Sequence, residues 1–147
     1  MHRFFSSHPL KPELRLDDWE QFHQIFHVFR AKKWDLLIFF ESGGDDRVYE
    51  IIEVTKKSAL LSQKEVRKKR NTTSQIVLFQ AYPHKLSTIE LIVQKSTELW
   101  VGSLIFFPSK YSQIHSIPEM KKQRISAIAL EALEQSGWNT PPTIIFT

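Results

Sequence analysis

From residue 75 onward, short apolar runs alternate with segments of helical periodicity, and this alternation constrains the fold more than any other feature. Residues 76–79, 104–107 and 143–146 are apolar runs of strand length. The segments between them carry apolar residues at helical spacing: Ile89, Ile92, Val93, Ser96 and Leu99 in the first, and Ile125, Ile128, Ala129, Ala132 and Leu133 in the second. Strands that alternate with helices predict a parallel sheet covered on both faces. Such sheets bind ligands beyond the carboxyl ends of their strands, where the strand order reverses.

Individual residues predict where these two helices begin and end. Ser87 and Glu90 have the spacing of a capping box, which predicts that the first helix begins at Ser87. Pro118 is expected at the first position of the second helix, because proline lacks an N–H that would have no partner there. Gly137 is expected to end that helix in a left-handed conformation.

The first 66 residues have the pattern of a separate module. Asp17 and Asp18 predict the cap of a helix that runs to about Val28. The side chains expected on its buried side are Trp19, Phe22, Ile25, Phe26 and Phe29.

Three strands are predicted in the same module, at residues 34–40, 48–54 and 59–61, with a hairpin turn at residues 42–46. Several short strands with one helix favour a small β-barrel. The basic and polar residues 67–74 are predicted to link this barrel to the alternating segment.

Several blocks of the sequence resemble one bacterial family. They are residues 79–81, 90–99 and 129–141 in the alternating segment, and residues 1–5, 22–30 and 35–49 in the first module. Together these blocks resemble the 16S ribosomal RNA uracil-N3 methyltransferases, which are knotted SPOUT methyltransferases with a PUA-like β-barrel in front. The resemblance implies an α+β fold. A PUA-like, RNA-binding β-barrel is expected at residues 1–72, and the first half (β-α-β-α-β) of a SPOUT methyltransferase domain at residues 73–147.

The family's function follows as an implication of this resemblance. It is methyl transfer from S-adenosylmethionine to N3 of a uridine in 16S rRNA of the small ribosomal subunit, by a homodimer. In the family, a knotted segment after a glycine-rich stretch binds the cofactor and forms the dimer contact, and no such stretch occurs among the four glycines here. The resemblance therefore predicts a shortened family member. Its 147 residues are not expected to bind the cofactor, dimerise or catalyse by themselves.

The same resemblance, together with charge, indicates candidate site residues. The RNA-binding candidates are Arg3, Arg30, Lys32, Lys33, Lys85, Lys95, Gln135 and Asn139. Gln94, Glu98 and Glu134 match further polar positions of the family motifs. No catalytic residue, cofactor ligand or metal ligand is predicted, although His23 and His27 have a spacing at which two imidazoles ligate zinc.

Each candidate also has a structural explanation. Lys95 and Glu98 form an ordinary surface pair if they share one helical turn. Gln135 and Asn139 are placed where helix-capping residues occur, and the aromatic residues beside Arg3 and Arg30 suit a core. The basic run at residues 67–70 either binds phosphate or is a solvated linker.

Composition limits the remaining classes of function. The net charge of +4 and the pI of about 9.4 favour a polyanionic partner. The absence of cysteine excludes disulfides and thiolate metal sites. No apolar run reaches the roughly 18 residues of a membrane span, so a cytoplasmic protein without a membrane partner is expected. Two alternatives to the methyltransferase remain: a non-catalytic RNA- or ribosome-binding module, and a decayed gene product.

Overall fold

The computed structural model describes residues 1–69 and 74–147. The chain is a mixed α+β protein that forms two compact units, Met1–Arg70 and Asn71–Thr147. Within the described residues, no helix is long and apolar enough to cross a membrane.

The first unit is built on a five-stranded sheet with the order β1-β3-β4-β5-β2. Its strands are β1 (Arg3–Phe5), β2 (Glu13–Leu16), β3 (Leu36–Phe40), β4 (Asp46–Val54) and β5 (Ala59–Arg67). Strand β1 is parallel to β3, and the other pairs are antiparallel. The third predicted strand of the module was expected to end at Leu61. It instead continues to Arg67, because β5 pairs along the whole length of β4.

A helix covers the core of this sheet. Helix α1 (Trp19–His23) continues as a π-helical turn (Gln24–Val28), and the side chain of Asp18 accepts a hydrogen bond from the Gln21 N–H at 2.9 Å. The predicted cap at Asp18 is therefore confirmed. Phe22 and Ile25 are buried, but Trp19 is 63% exposed, so its predicted burial is wrong. Trp19 precedes the part of the helix that packs on the core, and its ring lies against His23 instead, with centroids 5.7 Å apart.

The second unit contains the predicted β-α-β-α-β order. Its elements are β6 (Val77–Ala81), α2 (Leu86–Glu98), β7 (Ser103–Phe107), α3 (Glu119–Ser136) and β8 (Thr143–Phe146). The strands are parallel, with the order β6-β7-β8. The prediction of a parallel sheet is confirmed.

The helices cover one face of this sheet only. Leu104 and Phe106 are fully buried and share a core with side chains of α2 and α3, such as Ile89 and Ile125. On the opposite face, Phe79 is 66% exposed. The expected cover on both faces is therefore wrong for the described residues. Among the described residues, the strand order follows the chain order without reversal. Because both β-α-β connections are expected to be right-handed, they place both helices on the same side of the sheet.

The boundaries of the two helices differ from the expected ones. Helix α2 begins after Lys85, whose backbone is extended and whose side chain makes no cap, so the predicted capping box at Ser87 is wrong. Pro118 stands one position earlier than expected, as the residue before α3. Gly137 ends α3 with φ 77°, as predicted.

The end of α2 also changes which side chains are buried. Leu99 was expected on the buried face but is 75% exposed, because the helix ends at Glu98 and the helical spacing no longer applies. Thr97 is buried instead, and its hydroxyl donates to the Val93 carbonyl at 2.8 Å.

Candidate functional site

In the first unit, the predicted RNA-binding cations concentrate in the turn between the π-helical turn and β3, which we term the 30–34 turn. Arg30, Lys32 and Lys33 are all exposed there. The backbone of Arg30 has φ 56° and that of Trp34 has φ 75°, a conformation that non-glycine residues rarely adopt. The sequence placed Trp34 at the start of a strand, but β3 begins only at Leu36, because the left-handed turn comes first.

Hydrogen bonds hold the 30–34 turn in this conformation. The Trp34 N–H donates to the Ile51 carbonyl at 2.8 Å, and the Ile51 N–H donates to the Asp35 carbonyl at 3.0 Å. The Asp35 side chain accepts from the Lys32 N–H at 2.7 Å. Backbone hydrogen bonds thus attach the turn to β4, and the Asp35 carboxylate closes it. Hydrogen bonds therefore hold the backbone that carries the three cations.

Arg3 occupies a different environment from these cations. Its side chain is only 13% exposed and forms an ion pair with Asp46 at 3.1 Å. The guanidinium also lies over the Phe40 ring, 4.4 Å from its centroid. This arrangement holds the charge of Arg3 against the sheet, whereas the cations of the 30–34 turn face solvent.

The described part of the basic run pairs with carboxylates of the same unit. Arg67 contacts Glu65 at 3.1 Å, and Lys68 contacts Asp45 at 3.0 Å. Lys69 contacts Asp46 at 3.2 Å, and its N–H donates to Asp45 at 2.9 Å. These hydrogen bonds hold the pKa of Asp45 below its usual value. Arg70 and the rest of the predicted linker up to Thr73 lie outside the described residues.

The candidates on α2 and α3 do not form a single group. Lys95 pairs with Glu98 at 2.9 Å, which is the surface pair that the helical spacing allows. Gln94 and Gln135 are exposed near the carboxyl ends of their helices, and Glu134 is partly buried one position before Gln135. Lys85 lies at the other end of α2, and ten residues of helix separate it from Lys95 by about 15 Å.

Asn139 is only 5% exposed, so its side chain belongs to the interior of the second unit rather than to its surface. It follows Trp138, whose ring stacks on Trp100 with centroids 5.1 Å apart. His23 and His27 likewise stack on each other, at 4.9 Å. No group of three metal-ligating side chains lies among the residues that the structure describes.

The carboxyl ends of the parallel strands carry a hydrogen-bonded group that the sequence analysis missed. Tyr82 follows β6, and its hydroxyl donates to the Thr147 carbonyl, beyond β8, at 2.9 Å. The hydroxyl of Ser112 donates to the Tyr82 carbonyl at 3.3 Å and lies 3.0 Å from the Ser109 hydroxyl. Each of these residues follows the end of a predicted strand, and that position was the available signal.

The chemistry of this group is that of hydrogen-bond donors. Tyr82 is 5% exposed, and burial raises the pKa of its hydroxyl. The hydroxyl is therefore protonated at neutral pH and acts as a hydrogen-bond donor to the Thr147 carbonyl. Lys110 lies in the same connection after β7, with its ammonium 5.6 Å from the Tyr111 ring.

A family model for the RNA methyltransferase domain matches residues 69–147, which is more than half of the chain. No curated protein matches the sequence.

Solved structures share the fold of nearly the whole chain. A ribosomal RNA small subunit methyltransferase E from Neisseria gonorrhoeae, bound to S-adenosyl methionine, has a TM-score of 0.82 at 22% identity, and the match covers 99% of this chain and 62% of that one. A protein from Legionella pneumophila, described as a methyltransferase in complex with the bound cofactor SAM, also has a TM-score of 0.82, at 23% identity, with 98% and 61% covered. This chain thus spans less than two thirds of the length of either protein.

S-adenosylmethionine, the cofactor that the sequence resemblance implies for the family, is confirmed as the ligand of these two relatives. One cleft of the second unit, beside α3 and β8, does not fit it. This cleft has a volume of about 220 Å³ and is lined by Ser126, Ala129, Leu130, Pro141, Pro142 and Ile144, none of them charged. Ligand sites usually enclose about 300–1,000 Å³. The sheet order has no reversal that would open a crevice, and Gly102 and Gly137 serve close packing and a helix end rather than a nucleoside-binding loop.

Proposed function

This chain belongs to the RNA methyltransferase domain family, and from that premise we propose that it serves in the methylation of ribosomal RNA, at N3 of a uridine in 16S rRNA. The observation that carries the proposal is the family match over residues 69–147, combined with a shared fold over nearly the whole chain. The fold likeness extends through the first unit, which supports a recognition module joined to a methyltransferase domain.

In this proposal the first unit, up to about residue 72, is a PUA-like module that docks on the RNA. The exposed cations Arg30, Lys32 and Lys33 support this role, because basic side chains on a defined backbone displace the counterions of phosphates. The second unit, from about residue 73, is the opening half of a SPOUT domain. Its sequential parallel sheet and its exposed second face support that assignment.

The reaction also makes a chemical demand on its site. N3 of uridine carries a proton that must leave before the nitrogen attacks a methyl donor, so a proton acceptor must be close to the donor. The Tyr82 hydroxyl is unsuited as the acceptor because a tyrosine is protonated at neutral pH and this one already donates to the Thr147 carbonyl. We propose that these 147 residues bind RNA but neither bind S-adenosylmethionine nor transfer a methyl group by themselves, and the small uncharged cleft beside α3 supports this proposal.

Three measurements on the purified chain test this function. Titration with small ribosomal subunits at 50 and 200 mM salt is expected to show binding that weakens steeply with salt. Calorimetry with S-adenosylmethionine is expected to show no heat of binding. Transfer of labelled methyl from S-adenosylmethionine to the subunits would contradict the proposal that these residues do not catalyse by themselves, and an absence of RNA binding would contradict the docking role.

A second candidate is a non-catalytic RNA- or ribosome-binding module, favoured by the poor fit to the cofactor. The two functions differ in where the chain binds. A methyltransferase component protects the 16S rRNA around one uridine, and the same uridine carries an N3-methyl group in vivo. A module without that function protects a region that contains no N3-methyluridine.

A further inference from the structure

Trp34 has an unfavourable backbone conformation and an unfavourable side-chain environment at the same time. Its φ of 75° crowds the Cβ atom, and a bulky residue rarely accepts this conformation. Its indole, 60% exposed, gains little from the core. Strain of this kind persists only where the surrounding structure imposes it, and it concentrates at functional sites.

The backbone contacts of Trp34 do not explain why the residue is a tryptophan. The N–H that donates to the Ile51 carbonyl would be present in glycine, which also adopts a positive φ without strain. What tryptophan adds at this position is the exposed ring. The turn therefore displays an indole on a backbone that is fixed to β4.

Cations outnumber carboxylates around this ring, where Asp35 is the adjoining acidic residue and its carboxylate accepts from the Lys32 N–H. The Lys33 ammonium lies 4.6 Å from the centroid of the indole, and Arg30 and Lys32 are exposed in the same turn. An aromatic ring beside several cations matches a nucleotide, since the ring stacks on a base and the cations neutralise the adjoining phosphates.

The other exposed tryptophans lack this combination. Trp19 is 63% exposed, but Asp17, Asp18 and Glu20 surround it in the sequence, and these carboxylates repel phosphate. Trp100 has φ 63°, but the group that lies against its ring is the indole of Trp138 rather than a cation.

We infer that the indole of Trp34 is a stacking platform for an unpaired base of RNA, with Lys33, Lys32 and Arg30 holding the phosphates on either side. The inference rests on the proposed RNA-docking function and specifies the form of RNA that the first unit binds: a single strand or an extruded nucleotide, because bases inside a duplex offer no free face.

The test compares Trp34→Gly, Trp34→Phe and, as a matched exposed tryptophan, Trp19→Ala. The ligands are a ten-nucleotide oligouridine and an RNA duplex of the same length. Trp34→Gly is expected to weaken binding of the single strand by about 5- to 100-fold, the effect of losing one stacked base. The slope of affinity against salt should not change, because the cations remain. Trp34→Phe should keep most of the affinity, and Trp19→Ala should bind as the wild type does.

Two further measurements separate stacking from a folding defect. The thermal midpoint of Trp34→Gly should be no lower than that of the wild type, because glycine relieves the strained backbone. Quenching of tryptophan fluorescence by the single strand should occur in the wild type and be lost in Trp34→Phe.

Wild-type binding of the single strand combined with unchanged affinity in Trp34→Gly would overturn the inference and leave the proposed function standing. Equal losses in Trp34→Gly and Trp19→Ala would also overturn it, since any exposed indole would then suffice. A wild type that binds no RNA would refute the proposed function and this inference together.

Discussion

Replacing Asp46 with asparagine tests how the edge of the first sheet is held together. The Asp46 side chain is 4% exposed and forms ion pairs with Arg3 at 3.1 Å and with Lys69 at 3.2 Å. Arg3 is 13% exposed, so Asp46→Asn removes a carboxylate charge that a largely buried guanidinium pairs with. Removing one member of a buried pair costs about 3–5 kcal/mol. Lys69 is 33% exposed and adds at most about 1 kcal/mol.

The retained amide oxygen and the Phe40 ring offset part of this loss, so we expect the free energy of unfolding to fall by about 3 kcal/mol. Urea unfolding followed by circular dichroism measures it, as a midpoint lowered by about 1–3 M. The control is Glu50→Gln, which removes a bridge to Lys64 of 2.7 Å at the surface and should cost less than about 1 kcal/mol.

A double-mutant cycle with Arg3→Met isolates the pair. In the Arg3→Met background, Asp46→Asn should cost less than about 1 kcal/mol, since the buried cation is gone. Additive costs would refute the assignment of Arg3 to a structural ion pair. The RNA affinity of Arg3→Met, expected to match that of the wild type, tests the sequence-based prediction that Arg3 contacts RNA.

Three further predictions concern separate features. Hydrogen bonds from Lys69 and Lys68 lower the pKa of Asp45 in the folded state, so this carboxylate stabilises the fold above about pH 4. That stabilisation is lost as the pH falls through the folded pKa. The stability of Asp45→Asn, measured by acid titration, should therefore decline less steeply below about pH 4 than that of the wild type. Gly137→Ala should lower the unfolding free energy by about 1 kcal/mol, because alanine is strained at a φ of 77°. Steric clash adds nothing to this cost, since a Cβ there meets no atom within 4 Å. A loss above about 3 kcal/mol in urea unfolding would contradict this explanation. Phe106→Ala should cost about 3–5 kcal/mol and Phe79→Ala less than about 1 kcal/mol, because Phe106 is fully buried and Phe79 is 66% exposed; equal costs would mean that the outer face of the second sheet is covered.

The outer face of the second sheet is apolar and open to solvent in the described residues. Val77, Phe79 and Ile145 leave 46%, 66% and 42% of their surfaces exposed on that face. Parallel sheets are normally covered on both faces. This sheet therefore departs from the usual arrangement on the face that α2 and α3 do not cover.

Features that depend on neighbours in the chain were predictable from the sequence. The β-α-β-α-β order, the Asp18 cap and the left-handed Gly137 follow from apolar spacing and from the hydrogen-bonding capacity of single residues. The cations of the 30–34 turn were also identified, because exposed charge is visible in the composition of a segment. The positions of the hydroxyl-bearing residues around Tyr82 could have been predicted, since these residues follow strand ends. Their hydrogen bonds could not, because they join residues up to 65 positions apart.

Only the tertiary structure decided which partner each side chain meets. The sequence treated Arg3 as a candidate RNA-binding cation, yet the carboxylate that holds it stands 43 positions away on another strand. It placed Trp34 in a strand, yet pairing with Ile51 holds it in a left-handed turn that displays its ring. It expected helices on both sides of the second sheet, yet the strand order placed both on one. Local spacing determines which elements form, because propensity and periodicity act over a few residues. Partners and faces depend on strand order and register, which are set by contacts between distant parts of the chain.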